Sequence, residues 1–173
     1  MRAGLKSIAR GALTGVAMIT LAGSGMAQQS VGAVTNLELP RFVSMKTSEA
    51  FARRGPGKSH RIDWKFVHRN MPLKVVAEHG HWRQVEDVEG QGGWIHYALL
   101  SRTRSVLIME NDVVMHSKPT GLSRMVAKLG EGVVALLLTC EKDLCEIEAK
   151  DPNGASFKGW VERSSLWGLT RDD

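Results

Sequence analysis

The sequence predicts an all-β protein made of two small β-barrels or sandwiches in tandem, behind a cleaved export signal. Three observations predict it. From Phe42 onward helical periodicity is poor, and short apolar or alternating runs are separated by Gly, Pro, Asp and Asn instead. A Gly-Trp-aliphatic motif occurs twice, at Gly93-Trp94-Ile95 and at Gly159-Trp160-Val161. The first 27 residues carry the three parts of a targeting segment.

That segment opens with Arg2, Lys6 and Arg10 as a basic region, continues with an uncharged stretch over 11–22, and ends in Gly25-Met26-Ala27. Small residues at this place are read by a signal peptidase, so cleavage after Ala27 is expected, with 1–27 removed. The stretch is too short and too rich in Gly and Thr for a retained span, which needs about 20 apolar residues. No cysteine follows it to carry a lipid, and no second hydrophobic span occurs. The expectation is a periplasmic or secreted protein without membrane insertion. The formal net charge of +5 shrinks once those three basic residues are gone. The remainder is too small to argue for nucleic acid.

Residues 28–40 are small and polar and end in Pro, and read as a linker. After it, strand-like runs occupy 42–45, 73–77, 82–88 and 94–97, with a Gly92-Gly93 turn before the last. The rhythm then repeats at 105–108, 113–116, 125–129, 133–139, 145–149 and 159–162. The duplication divides the chain into units at 41–103 and 104–169. Units of this size fold alone but are marginal, so a shared interface is reasonable.

Cys140 and Cys145 stand five residues apart. In an oxidising compartment a close pair is first a disulfide. The residues between them read as a four-residue hairpin loop, which brings its flanks within bridging range. A redox role is the runner-up, but the spacing is not C-x-x-C. A zinc site lacks a second ligand pair.

The ordered series of motifs resembles the bacterial SH3-like family, and specifically its exported alphaproteobacterial proteins of unknown function. Ala52-Arg53-Arg54-Gly55-Pro56-Gly57 resembles the family's opening Arg-x-Gly-Pro turn, with Phe51-Ala52 where Asn-Val is usual. Ile62-Asp63-Trp64, the run 71–76, Trp82-Arg83-Gln84-Val85, Gly93-Trp94-Ile95 and Leu99-Leu100-Ser101 follow in order. The second unit is more divergent. It has Met115-His116-Ser117-Lys118-Pro119 in place of the opening turn and keeps Gly159-Trp160-Val161. Its cysteines align with Ala77 and Trp82 of the first unit. The resemblance implies two tandem SH3-like barrels. Trp94 and Trp160 read as covers for the two cores, because an indole buries a large area.

Catalytic constellations are lacking. Gly55-Pro56-Gly57-Lys58-Ser59 resembles the tail of a phosphate-binding loop, but Ala52 stands where the first Gly is needed. No Gly-x-Ser-x-Gly or His-Glu-x-x-His occurs. His79 and His81, with His60, His68 and His96 in the same unit, read as polar loop residues before they read as metal ligands. The expectation is a non-enzymatic protein without cofactor or metal.

Charge is the more informative signal. Residues 41–104 hold twelve Lys/Arg against six Asp/Glu, whereas 105–173 hold eight against eleven. The first unit is basic, with aromatics interleaved. Such a surface suits peptides, acidic polymers or cell-wall fragments. The candidate contacts are Arg53, Arg54, Trp64, Trp82 and Tyr97. The plainer reading of each is a solvated charge or a core aromatic. Expected partners are peptidoglycan or an envelope protein or peptide. An adaptor subunit of an envelope complex is the alternative.

Overall fold

A computed structural model describes residues 30–120, 123–170 and 173. The expected signal peptide lies outside the described residues. Those residues form strands joined by turns, with two single 3-10 turns and no α-helix.

The first unit contains β3 (Arg41–Met45), β4 (Ala50–Arg53), β5 (Ile62–Phe66), β6 (Pro72–His79), β7 (Trp82–Glu86), β8 (Gly92–His96) and β9 (Leu100–Ser101). They make one antiparallel sheet in the order β5-β4-β8-β7-β6-β3-β9. The second unit contains β10 (Ser105–Ile108), β11 (Val113–His116), β12 (Met125–Leu129), β13 (Val134–Glu141), β14 (Leu144–Lys150), β15 (Ser156–Glu162) and β16 (Leu166–Trp167). Its order is β12-β11-β15-β14-β13-β10-β16, the same topology strand for strand. A 3-10 turn precedes the last strand in both, at Tyr97–Leu99 and Arg163–Ser165.

Alternation places one face of each strand inward. Met45, Ala52, Phe66, Leu73, Val75, Val85 and Ile95 form one core although they come from six strands, so the sheet is rolled around them. Val106, Ile108, Met115, Ala135, Ile147 and Val161 form the equivalent core.

The repeated Gly-Trp motif has a second physical basis beside the expected one. Ile95 and Val161 point into the cores, so Trp94 and Trp160 stand on the opposite face; Trp160 is buried there, as expected of a cover, and Trp94 is only half-buried. The glycine is the constrained residue. A Cβ on Gly93 would lie 2.6 Å from the Arg53 carbonyl oxygen, and a Cβ on Gly159 would lie 2.6 Å from that of His116. Two strands cross at that point in each unit, and only glycine lets them approach.

The hairpin that carries the cysteines is tighter than expected. Glu141 pairs with Leu144, so the loop is the two residues Lys142 and Asp143, not four. Cys140 and Cys145 are directly opposed, with Cα atoms 4.0 Å apart, and are bonded to each other. The first unit has the same hairpin: Ala77 pairs with Gln84, Glu78 with Arg83 and His79 with Trp82. Both hairpins carry a register shift at the same place, between Val75 and Ala77 and between Leu137 and Thr139. The cysteines therefore correspond to Glu78 and Arg83, not to Ala77 and Trp82.

The segment expected as a linker is built into the first unit. β1 (Ser30–Val31) pairs with β2 (Glu38–Leu39), and Leu39 is part of the core. The units touch where the Phe42 ring meets Trp167 edge-on, with centroids 5.0 Å apart.

Candidate functional site

The five predicted contact residues fall into two groups. Arg53, Arg54 and Trp64 lie on the β4–β5 hairpin, and Trp82 and Tyr97 lie at the tip of the β6–β7 hairpin and the 3-10 turn beside it. The structure does not bring all five together.

On the β4–β5 hairpin the charges are largely spoken for. Arg53 Nη1 donates to the His60 carbonyl at 2.7 Å. Arg54 and Arg61 both donate to Asp63, at 3.0 and 2.6 Å. The Arg54 and Arg61 hydrogen bonds hold the Asp63 carboxyl below the usual carboxylate range. Trp64 packs edge-on to Phe66 and keeps 40% of its surface exposed, while Phe51, exposed too, pairs with Lys65 and so faces the other side of the hairpin.

The second group is an aromatic and imidazole cluster. Trp82 and His96 are cross-strand partners, with rings 5.6 Å apart and perpendicular. His96 stacks on Tyr97 at 5.0 Å, and His81 lies 5.6 Å from Tyr97 and 5.8 Å from His96. Tyr97 is half exposed, and the Arg83 guanidinium stands 6.0 Å from its ring centroid. Aromatic faces beside a guanidinium are a surface for flat or cationic groups and for peptide bonds.

Beneath this cluster is a feature the sequence reading missed. The Glu78 side chain is fully buried, and Arg83, inward-facing on β7, lies 3.3 Å from it. Arg41 Nη2 donates to the same carboxylate at 2.6 Å. Val34 N, Thr35 N and Thr35 Oγ1 donate at 3.0, 2.8 and 2.7 Å. Burial alone would raise the Glu78 pKa. The Thr35, Arg41 and Val34 hydrogen bonds outweigh it and hold the carboxyl at about 2. One carboxylate thus fixes the N-terminal segment, the first strand and the hairpin tip together. Gly32 passes so near that a Cβ there would lie 2.4 Å from the Glu78 carboxyl.

Next to this network a cleft of about 510 Å³ opens between the N-terminal segment, the first unit and the connection to the second. Arg41, Arg83, Arg102 and Arg104 line it, with Tyr97 and Phe42 among the other walls. Arg104 donates to the Gly168 carbonyl and to Asp173. Burial works to raise the Asp173 pKa, and the Arg104 and Thr170 hydrogen bonds overcome it, so the carboxyl lies below its ordinary value.

The same end of the second unit differs in chemistry. Asp143, Leu144, Glu162 and Arg163 take the places of His81, Trp82, His96 and Tyr97. Arg163 donates to the Thr170 carbonyl at 2.7 Å and to the backbone oxygen of Asp173, so the chain's own following segment lies against this end.

The model of the bacterial SH3 domain matches the chain twice, over residues 46–102 and 109–168. The chain belongs to the bacterial SH3 domain family. Both SH3 domains are therefore recognisable in sequence, including the divergent second one. Two solved structures are similar to the chain, NlpC2 and NlpC1 from Trichomonas vaginalis, at 11% and 12% identity and a TM-score of 0.33 each. They are covered over 74% and 79% of this chain and 48% of each of theirs, so the chain spans about half the length of either. Among curated proteins none matches. No helix among the described residues is long and apolar enough to cross a membrane.

Proposed function

We propose that the protein is an exported, non-enzymatic binding module of the cell envelope that recognises a peptide or the peptide part of peptidoglycan. The observation that carries this reading is the open cluster of Tyr97, His96, His81 and Trp82 above Arg83 on the first SH3 domain. The equivalent end of the second domain is occupied by its own chain. Membership of the bacterial SH3 family and the Cys140–Cys145 disulfide support a place outside the cytoplasm.

Retention of the protein on purified peptidoglycan sacculi, at low and moderate salt, tests it. Wild type is expected to be retained, and Tyr97→Ala or Trp82→Ala to reduce retention more than Trp64→Ala does. Absence of retention at both salts would sink the wall-binding reading. The exposed apolar residues on and beside the β4–β5 hairpin, Phe51, Ile62, Trp64 and Val67, favour a second reading, an adaptor docking on a protein partner. Crosslinking in intact cells through position 64 distinguishes it.

A further inference from the structure

The arginine cleft has more cationic donors than its own carboxylates use. Arg41 spends Nη2 on Glu78, and its Nη1 is buried without a hydrogen-bond partner. Arg104 spends Nη2 on Gly168 and Asp173, and its Nε is likewise buried and unpartnered. Arg102 is exposed and makes no ion pair among the described residues. Three of the four guanidiniums, those of Arg41, Arg83 and Arg104, use the two carboxylates Glu78 and Asp173, and the fourth, Arg102, uses neither. Buried donors left unpaired are costly, and a low-dielectric wall strengthens their pull on an anion.

Arg41 and Arg104 are equivalent residues. Each stands three positions before the strand residue that pairs with the last strand of its domain: Ser44 with Ser101, and Leu107 with Trp167. The duplicated arginine thus lines one cleft from both domains. The chain also displays the kind of group to which such an arginine donates. Arg104 holds the Asp173 carboxylate at 2.6 Å while Arg163 holds the backbone oxygens of the same segment.

We propose that this cleft is a receptor for the free carboxylate of a peptide end. The carboxylate is taken by Arg102 at the mouth of the cleft, with the partly exposed guanidiniums of Arg41 and Arg104 behind it, and the neighbouring residue of the peptide packs on Leu37, Phe42 and Tyr97. A peptide end brings an anion and an apolar group together, which matches a wall that is part guanidinium and part apolar. A simple phosphate uses only the first. The proposal rests on the reading of the protein as a peptide-binding module, and places its anchoring contact beneath the aromatic cluster, with Tyr97 common to both.

The test is titration of the intact protein with N-acetyl-alanyl-alanine, its C-terminal amide, and inorganic phosphate, followed through arginine Nε and Tyr97 ring resonances. The free acid is expected to bind saturably, with the amide and phosphate at least about tenfold weaker, as loss of a charge-assisted pair implies. Arg102→Gln, at an exposed position, is expected to weaken the acid by about fivefold or more without moving the unfolding midpoint. Equal binding of acid and amide, tighter binding of phosphate, an unchanged Arg102→Gln, or no saturable binding each overturns the proposal. Retention on sacculi without binding of the free acid removes this site and leaves the wall-binding reading standing. Binding of the free acid without retention does the reverse.

Discussion

The β6–β7 hairpin of the first SH3 domain and the β13–β14 hairpin of the second share register, bulge and a two-residue loop, yet their tips are closed by different chemistry. Where the second domain has a covalent bond between Cys140 and Cys145, the first has Glu78 facing Arg83. Both are inward-facing pairs at the end of a small core. The disulfide is self-sufficient: it needs nothing from outside its own hairpin. The ion pair is not, because a buried carboxylate needs its remaining lone pairs satisfied. Glu78 obtains them from Arg41, Thr35 and Val34, and this ties the segment before β3 to the domain. The difference teaches that the polar solution has a structural by-product. It orders an extra wall and points arginines at a cleft, which a disulfide at that position does not do.

The largest effect that could break this comparison is removal of the Glu78 charge. Glu78→Gln leaves Arg41 and Arg83 without their shared counter-ion, and the first domain should lose about 3–5 kcal/mol. Denaturant unfolding measures the loss, and limited proteolysis should show new cleavage within residues 30–39. A loss below about 1 kcal/mol, the scale of an exposed ion pair, would mean the network is not a structural one.

Acid should act next, and on one domain. Glu78 has its carboxyl held at about 2 against an ordinary value of 4.5. Its contribution is therefore fully present above about pH 4.5 and is lost as pH falls toward 2, on the order of 3 kcal/mol in all. Amide exchange across that range should open residues of β6 and β7 before those of β13 and β14. Simultaneous opening would contradict the asymmetry.

Reduction should have the opposite selectivity. Replacing Cys140 and Cys145 by Ser should cost the second domain about 2 kcal/mol, a value at the low end because the closed loop is short. The first domain's unfolding should not respond. The smallest effect is expected away from both hairpins. Arg54→Ala removes an ion pair to Asp63 that is exposed on both sides, and the unfolding midpoint should stay in place. A clear drop would show that the β4–β5 hairpin depends on charge in a way the β6–β7 tip was thought to monopolise.

Much of the fold was legible. Short alternating runs, turn residues and the repeated Gly-Trp motif are local signals, and they yielded an all-β duplicated chain. The β4–β5 hairpin was only partly read, although Ile62, Trp64 and Phe66 alternate with Asp63 and Lys65. The glycine's part in the motif went unread because a tryptophan's size is visible in sequence, while a carbonyl 2.6 Å from a missing Cβ is not. Of the candidate contacts, Trp82 and Tyr97 fell at one place because β7 and the turn after β8 are neighbours. Arg53, Arg54 and Trp64 fell elsewhere, because a basic composition says nothing about which strand carries the charge.

By itself, then, the sequence determined the class of fold, its duplication and the partner of each cysteine, since all three depend on residues close along the chain. Only the tertiary structure decided that Glu78 and Arg83 stand where the cysteines stand, because a bulge moves the register by one residue and reverses which side chains face inward. It alone brought Arg41 to Glu78 across 37 positions, and Arg104 into the same cleft from the second domain. Convergence of that kind depends on how strands are ordered and rolled, and no local pattern encodes it.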